Sequence, residues 1–231
     1  MVALISLRKD EPWRRRLFLP AYEVGEAARY ARTNPQTVAY WHFNRGGLGP
    51  ILPGKEKGQP LSYLELVEVA IVAVFRRLGL SLQRLRKTRE YAQQTFKAEY
   101  PFAQLQFQTE GHHLLLELGK NEGFHVNEVI LADEHGQTGW KSLIADRFQE
   151  FDYEHDVALI WHLAGRSSPV VIDPRIAAGS PQVKGIPTWV LKGRVEAGET
   201  LGDITSDFNL SGEDVIHALR FEGVEVPLNG E

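Results

Sequence analysis

Cysteine is absent from the 231-residue sequence, and methionine occurs once. Without a thiol, the chain has no disulfide, no thiolate metal ligand and no cysteine nucleophile. Long apolar runs are also missing: the longest, residues 67–75, contains Glu68 and falls far short of the roughly 20 residues that span a membrane. The N-terminal residues become charged too early for a signal peptide, so we expect a cytoplasmic protein with no membrane partner.

The sequence also lacks the motifs of common enzyme sites. It has no glycine-rich phosphate loop, no nucleophile elbow and no paired-carboxylate motif. Four histidines invite comparison with metal sites, but their spacing suits no tight ligand set, and carboxylates would have to complete it. These histidines are His112, His113, His125 and His135. We therefore predict no enzyme, no cofactor and no bound metal; an enzyme with an unrecognised site is the alternative.

Positive and negative charges are unevenly distributed along the chain. The formal net charge is −4, but residues 1–100 carry 17 Lys+Arg against 9 Asp+Glu, whereas residues 101–231 carry 9 against 21. The first part is therefore +8 and the second −12. Such asymmetry suggests two tasks, with a basic part that meets nucleic acid and an acidic part that meets another partner. Chance segregation of solvated charges is the alternative.

Two short helices with a polar turn between them are predicted near the start. Residues 21–32 place small apolar side chains at helical spacing, and a polar turn follows. Asn34 suits the capping position of a second helix, residues 36–41, and Pro35 suits its first turn. The glycine- and proline-rich residues 44–58 then favour a turn or a short β-wing. This order is that of a winged helix-turn-helix.

The second helix and the wing supply the candidate DNA contacts. Asparagine and glutamine side chains can pair with adenine, and tyrosine, threonine and arginine suit phosphate. The predicted DNA-contacting residues are Asn34, Gln36, Thr37, Tyr40 and Trp41 on the helix and Arg45 and Lys55 on the wing. A plain helical hairpin within a helical domain is the alternative for the same segment.

Further helices and a hairpin follow the wing. Residues after the capping Ser62 are apolar at helical spacing as far as Gly79, which predicts an amphipathic helix. Ser81 caps another helix that extends to Phe96 and is expected to be basic on its exposed side. The basic residues are Arg84, Arg86, Lys87 and Arg89. Alternating residues 105–118 predict a β-hairpin, a candidate homodimer seam because an exposed apolar edge would otherwise aggregate.

The rest of the sequence predicts strands and then short helices. Strands are predicted over 151–163 and 170–172, and helices over 186–197, 201–208 and 212–222. The last two helices form a helix-turn-helix-like pair, but their carboxylates would repel phosphate, so a protein interface is expected there. The predicted fold class is α+β. Its predicted domains are a winged head at 1–100, a β-hairpin region at 101–165 and a small helical domain at 166–231.

Two parts of the sequence resemble known bacterial modules. The segments "YEVGEAARYARTNPQTVAYW" and "LSYLELVEVAIVAVFRRLGLSLQRLRKTREYA", within residues 22–98, are similar to the DNA-binding domain of MerR-type regulators. Residues 170–222 carry "IDP", "IPT", "AGET" and "LSGEDV" in that order. This set resembles a small bacterial domain of unassigned function that is typical of antitoxins. A MerR-like head ahead of this module resembles the VapB-type antitoxins, whose partner is a PIN-like ribonuclease toxin.

The resemblance implies an antitoxin that neutralises such a toxin and represses its own operon by binding operator DNA as a homodimer. A PIN-like active site is an acidic metal cluster, so a basic side chain of the C-terminal part is expected to enter it. The candidate toxin-binding residues are Arg166, Arg175, Lys184, Lys192 and Arg194. In the other mode, the acidic excess meets the RNA-binding basic rim of the toxin. A MerR-like ligand-sensing transcriptional regulator without a toxin partner is the alternative function.

Overall fold

The structure, a computed structural model, describes residues 12–43, 49–104, 107 and 146–225. The chain divides into two compact units. The N-terminal unit comprises Met1–Gln149 together with Tyr153–Ala158, and the C-terminal unit comprises Glu150–Asp152 together with Leu159–Glu231. The three-domain division predicted from the sequence stays a prediction, because residues 105–106 and 108–145 of its middle part lie outside the described residues.

Helices form the described part of the N-terminal unit. They are α1 (Pro12–Arg16), α2 (Val24–Tyr30), α3 (Pro35–His42), α4 (Tyr63–Arg77), α5 (Leu82–Phe96) and a 3-10 turn (Pro101–Ala103). Side-chain caps fix the starts of the longer helices, as predicted: Ser62 accepts from the Glu65 N–H and Ser81 from the Arg84 N–H. The chain that returns from α3 to α4 is tied to the chain before α2 by an antiparallel bridge between Tyr22 and Leu61.

Helix α4 is the centre of this unit. Every residue from Tyr63 to Phe75 is buried, including Glu65 and Glu68. The sequence predicts an amphipathic helix with one solvated face, and that prediction is wrong in this respect. A helix that is apolar on all sides is an interior helix, and a carboxylate within it requires a partner.

Glu68 finds its partners on α5 and on the 3-10 turn. The Arg89 Nε and Nη2 groups lie 2.9 Å from the Glu68 Oε2 atom, and the Phe102 N–H donates to Oε1 at 3.3 Å. Arg89 also donates to the Glu99 carbonyl at 2.8 Å. Burial raises the pKa of the Glu68 carboxyl, and the Arg89 guanidinium opposes the rise. Arg89 is therefore buried and joins α5 to α4 and to the Glu99 carbonyl. It does not belong to the exposed basic face predicted for α5.

Phe107 closes the core beside α4. Its ring contacts those of Phe75, Phe96, Phe102 and Phe148, with centroid distances between 4.7 and 6.4 Å. Phe107 is helical and only 1% exposed, whereas the sequence predicts an extended strand there as part of a dimer seam. That prediction is wrong for Phe107, because its ring is used inside its own unit; the rest of residues 105–118 lies outside the described residues.

Short strands and three further helices are described between residues 151 and 221. The strands are β1 (Phe151–Glu154), β2 (Val157–His162), β3 (Val171–Ile172), β4 (Gln182–Val183) and β5 (Ile186–Pro187), in the sheet order β1-β2-β3-β4-β5. The helices are α6 (Thr188–Glu196), α7 (Leu201–Phe208) and α8 (Gly212–Phe221). The bounds of α7 and α8 agree with the predicted 201–208 and 212–222, and their caps are Thr200 and Ser211 as expected.

Two tight turns explain the strands that the sequence pattern did not resolve. His155 and Asp156 both have positive φ and separate β1 from β2, where a single alternating run was predicted. Lys184 and Gly185 likewise both have positive φ and join β4 to β5. Two consecutive residues with positive φ form the type I′ turn that suits a hairpin. The predicted helix 186–197 therefore begins only at Thr188, and the predicted small helical domain also contains strands.

The architecture agrees with the α+β class: helices combine with a five-stranded sheet whose pairs β2–β3, β3–β4 and β4–β5 are antiparallel. The winged form of the head stays a prediction. None of the helices in the described ranges has both the length and the apolar character that crossing a membrane requires.

Glu68→Ala is expected to lower the free energy of unfolding by about 3–5 kcal/mol, because it leaves a buried guanidinium without its carboxylate. Urea denaturation monitored by circular dichroism measures the change. Glu90→Ala, on the exposed side of α5, is the matched control and should shift the value by less than about 0.5 kcal/mol. Equal midpoints for the two variants would show that this ion pair does not support the fold.

Candidate functional site

Helices α2 and α3 are joined by a short turn at the predicted helix-turn-helix. Helix α2 packs against α3 and ends where Arg32 takes a left-handed conformation with φ 54°. The Thr33 N–H then donates to the Ala28 carbonyl at 2.9 Å, which closes the end of the helix. Asn34 starts α3, because its Oδ1 accepts from the Thr37 N–H at 2.7 Å, and Pro35 takes the first helical position.

The predicted polar contacts lie together at the start of α3. Gln36 and Tyr40 are exposed and lie four residues apart, and half-buried Thr37 lies between them in the sequence. Side chains at these spacings share one face of a helix. Asn34 is exposed as well, although its carboxamide oxygen is used by the cap. The arrangement offers one glutamine and one tyrosine to a groove.

Trp41 does not belong to this exposed face. Its side chain is only 2% exposed, and its carbonyl accepts from the Ile51 N–H at 2.9 Å and the Leu52 N–H at 3.1 Å. The residue therefore holds α3 against the core and fixes the loop that follows. This burial argues against its predicted contact with DNA, which stays a prediction.

The loop before α4 also differs from the predicted wing contacts. The Lys55 Nζ donates to the Pro60 carbonyl at 2.9 Å and lies 3.0 Å from the Glu65 carboxylate, with its side chain 10% exposed. Lys55 is thus a largely buried partner of α4, which argues against its predicted contact with phosphate. The described loop residues 49–60 contain no strand. Arg45 lies outside the described residues, so its contact with DNA stays a prediction.

Two residues that the sequence analysis did not select hold this region in place. Arg77, at the end of α4, donates to the Ala31 carbonyl at 3.1 Å and the Arg32 carbonyl at 3.3 Å, which satisfies the end of α2. His42 Nδ1 lies 2.7 Å from the Pro53 carbonyl oxygen, and burial lowers the pKa of its imidazole. Both contacts join residues far apart in the sequence, so no local pattern predicts them.

The five predicted toxin-binding cations all have carboxylate partners within the C-terminal unit. Their pairs are Arg166 with Asp152 (2.6 Å), Arg175 with Asp173 (2.7 Å), Lys184 with Asp214 (2.6 Å), Lys192 with Glu196 (3.7 Å) and Arg194 with Glu199 and Asp207. The five side chains are at least partly exposed, but their charges are already neutralised by neighbours. This arrangement does not single out one of them as a bare positive charge aimed at a partner.

The pair of Lys184 and Asp214 joins two elements of the C-terminal unit. Lys184 lies in the β4–β5 turn, and its contact with Asp214 fastens the hairpin to the start of α8. Burial raises the pKa of the Asp214 carboxyl, but hydrogen bonds from Lys184 and Ser211 lower it further, so the net pKa lies below its usual value. Asp214 therefore serves as both cap and anchor, with its Oδ2 accepting from the Ser211 N–H at 2.9 Å.

A polar cleft of about 470 Å³ opens in the C-terminal unit, the His162 cleft. Its lining includes His162, Arg166, Ser168, Ser211, Glu213 and His217. At its edge, Asp152 accepts from Arg166 at 2.6 Å and lies 2.9 Å from His162 Nε2. Burial raises the pKa of Asp152, but the bonds from His162 and Arg166 lower it more, which favours the carboxylate.

In the ranges that the structure describes, no group of three or more His, Cys, Asp or Glu side chains is placed so that it could hold a metal ion. The histidines considered from the sequence, His112, His113, His125 and His135, lie outside those ranges.

Part of the C-terminal unit matches a known family model. Residues 170–221 match the family model described as "Protein of unknown function (DUF433)", which coincides with the module predicted at 170–222. The chain is 22% identical over 236 residues to a Mycobacterium tuberculosis protein named "Putative antitoxin VapB45", covering 91% of this chain and 97% of that relative.

A solved structure has a similar fold. It is the X-ray crystal structure of Rv2018 from Mycobacterium tuberculosis, with a TM-score of 0.72 and 22% sequence identity. The likeness covers 88% of this chain and 99% of that one. At this identity the similarity shows that the two chains share a fold.

Lys55→Met is expected to lower the free energy of unfolding by about 2–3 kcal/mol, because it removes the charged partner of the buried Glu65 carboxylate. Lys57→Met is the control, since it removes the same charge from an exposed position of the same loop. The slope of DNA affinity against salt should then be the same in the two variants. A flatter slope for Lys55→Met alone would return Lys55 to the phosphate contacts.

Proposed function

We propose that this chain is a VapB-type antitoxin that binds and neutralises a PIN-like ribonuclease toxin and represses its own operon by binding operator DNA. The observation that carries the proposal is the similarity to a relative named as a VapB antitoxin, because it extends over 91% of this chain and 97% of that relative. It therefore includes both the helix-turn-helix and the C-terminal module.

The basic first 100 residues support the DNA part of the proposal. Helix α2 braces α3, and the capped start of α3 presents Gln36 and Tyr40 on one exposed face. Residues 1–100 carry a net charge of +8, which favours the approach to phosphates. One short helix makes few base contacts, so a homodimer would place two copies of α3 on half-sites about one turn of DNA apart.

The acidic C-terminal unit supports the toxin part. Insertion of a basic side chain into an acidic active site requires a cation that can leave its own partners, and all five candidates are ion-paired. A ribonuclease must hold a polyanionic substrate and so needs a positive surface. The second mode considered from the sequence, an acidic surface against the basic rim of the toxin, is therefore the better supported mechanism of neutralisation.

The alternative function is a MerR-like ligand-sensing transcriptional regulator without a toxin. The observation that favours it is the His162 cleft, whose volume of about 470 Å³ lies in the range of small-molecule sites. Its lining is largely polar, so it would suit a small polar ligand. The two functions differ in their partners: the regulator predicts DNA affinity that changes with a small molecule and predicts no protein complex.

Gln36→Ala is expected to change the sequence preference of DNA binding, because a glutamine that reads a base contributes about 1–3 kcal/mol of discrimination. Gel shifts with duplexes from upstream of the gene and with point-substituted duplexes measure the effect at several salt concentrations. The salt slope should stay unchanged, since no phosphate contact is lost. Gln94→Ala on exposed α5 is the control. An unchanged preference in Gln36→Ala would remove that residue from base reading.

Co-expression tests the toxin part with the full-length chain. A small ribonuclease-like gene is expected next to this one, and its product should arrest growth alone and co-purify with the chain when both are expressed. Growth should then be restored, because the bound toxin no longer reaches RNA. The control is the same toxin with an unrelated DNA-binding protein of similar size. A chain that neither binds the ribonuclease nor restores growth is not its antitoxin.

A further inference from the structure

Trp189 is the most exposed large apolar side chain of the C-terminal unit among its described residues. It lies in the first turn of α6 and is 62% exposed. A tryptophan side chain presents on the order of 200 Å² of mostly apolar surface, and leaving it in water is unfavourable. Exposed tryptophans that the fold does not use are typical anchors of protein interfaces.

The rest of α6 fixes the direction in which Trp189 points. Leu191 is fully buried, and buried Thr188 donates its hydroxyl proton to the Glu222 carboxylate at 2.5 Å. Arg194 lies 2.6 Å from the Asp207 carboxylate. These contacts hold one side of α6 against its own unit, so Trp189 cannot turn inward without breaking them.

Gly193 lies one helical turn after Trp189 on the same exposed side. A Cβ atom built there would meet nothing within 4 Å, and its φ is not positive. Glycine within a helix is less stable than alanine, and the described residues of the unit give no steric or conformational reason for it. A missing side chain beside an exposed tryptophan leaves room for the backbone of another chain. Together with Glu196, these residues define the Trp189 face.

Charge indicates what kind of chain covers this face. Residues 188–222 carry three Lys+Arg against seven Asp+Glu, a net charge of −4. Lys192 and Arg194 are already paired with carboxylates of the same unit. A second copy would bring another net charge of −4 against the first, which is repulsive, whereas a basic surface is attracted. A ribonuclease has such a surface because it binds RNA.

We propose that the Trp189 face is the docking surface for a basic segment of the ribonuclease toxin, with Trp189 as the buried anchor and Gly193 as the point of closest backbone approach. The inference rests on the proposed antitoxin function. It assigns the main contribution to binding to an apolar anchor within an acidic surround, in place of any of the five paired cations.

Binding assays with the full-length chain and the product of the neighbouring ribonuclease-like gene test this assignment. Trp189→Ala should weaken the complex about 30-fold, as expected for loss of an interface anchor. Leu19→Ala is the matched control, because Leu19 is a similarly exposed apolar residue (55%) in the N-terminal unit, and its affinity should equal that of the wild type.

Gly193→Gln separates binding from folding. Glutamine favours a helix more than glycine does, so the urea midpoint should rise, whereas the added side chain should weaken toxin binding at least tenfold. Wild-type affinity in both Trp189→Ala and Gly193→Gln would overturn the inference and leave the antitoxin function intact. If the wild-type chain itself fails to bind the ribonuclease, the proposed function is wrong.

Light scattering tests the competing occupant. A wild-type chain that is dimeric, with Trp189→Ala monomeric, would assign the Trp189 face to a second copy and overturn the inference. Retention of one oligomeric state in both variants, together with weakened toxin binding, supports it.

Discussion

The buried ion pair between Glu68 and Arg89 is the constraint on which the N-terminal unit depends. Helix α4 is surrounded by the unit, so each of its two carboxylates must be paired. Arg89 brings α5 to Glu68, and Lys55 brings the loop after α3 to Glu65. The same loop is held by the carbonyl of Trp41. Partners required by the core therefore also fix the position of α3, which carries the predicted DNA contacts.

The sequence predicts the elements whose signals are local. Asn34 and Ser62 each place a polar cap directly before a helical pattern, and both helices start there. It does not predict pairings between distant residues, such as Arg77 with the end of α2. Nor does it predict a hairpin whose turn is His155-Asp156, because these residues lack the usual glycine signal of such a turn. The contacts of Trp41 and Lys55 inside the unit were likewise not predicted, because their partners lie elsewhere in the sequence.

The ion pairs of the candidate toxin-binding residues were also not predictable from the sequence. From the sequence, each lysine or arginine of an acidic segment is a possible isolated cation. Only Lys192 and Glu196 have the four-residue spacing that predicts an ion pair on one helix. Lys184 and Asp214 are 30 residues apart and meet because the β4–β5 turn lies at the start of α8. The net charge follows from the sequence alone. Which of the charged side chains are already ion-paired is known only from the structure.

Some residues of the C-terminal unit have an unfavourable conformation or environment that contacts within the unit explain. For others, the described contacts give no such explanation. Lys184 has a positive φ, but the hairpin and its contact with Asp214 account for it. Trp189 leaves most of its apolar surface in water and Gly193 weakens its helix, and the described residues of their unit give no steric reason for the glycine. Local rules are broken most often where a protein meets something else. In this unit, that reasoning favours the exposed side of α6 over the paired cations as the surface shaped by a partner.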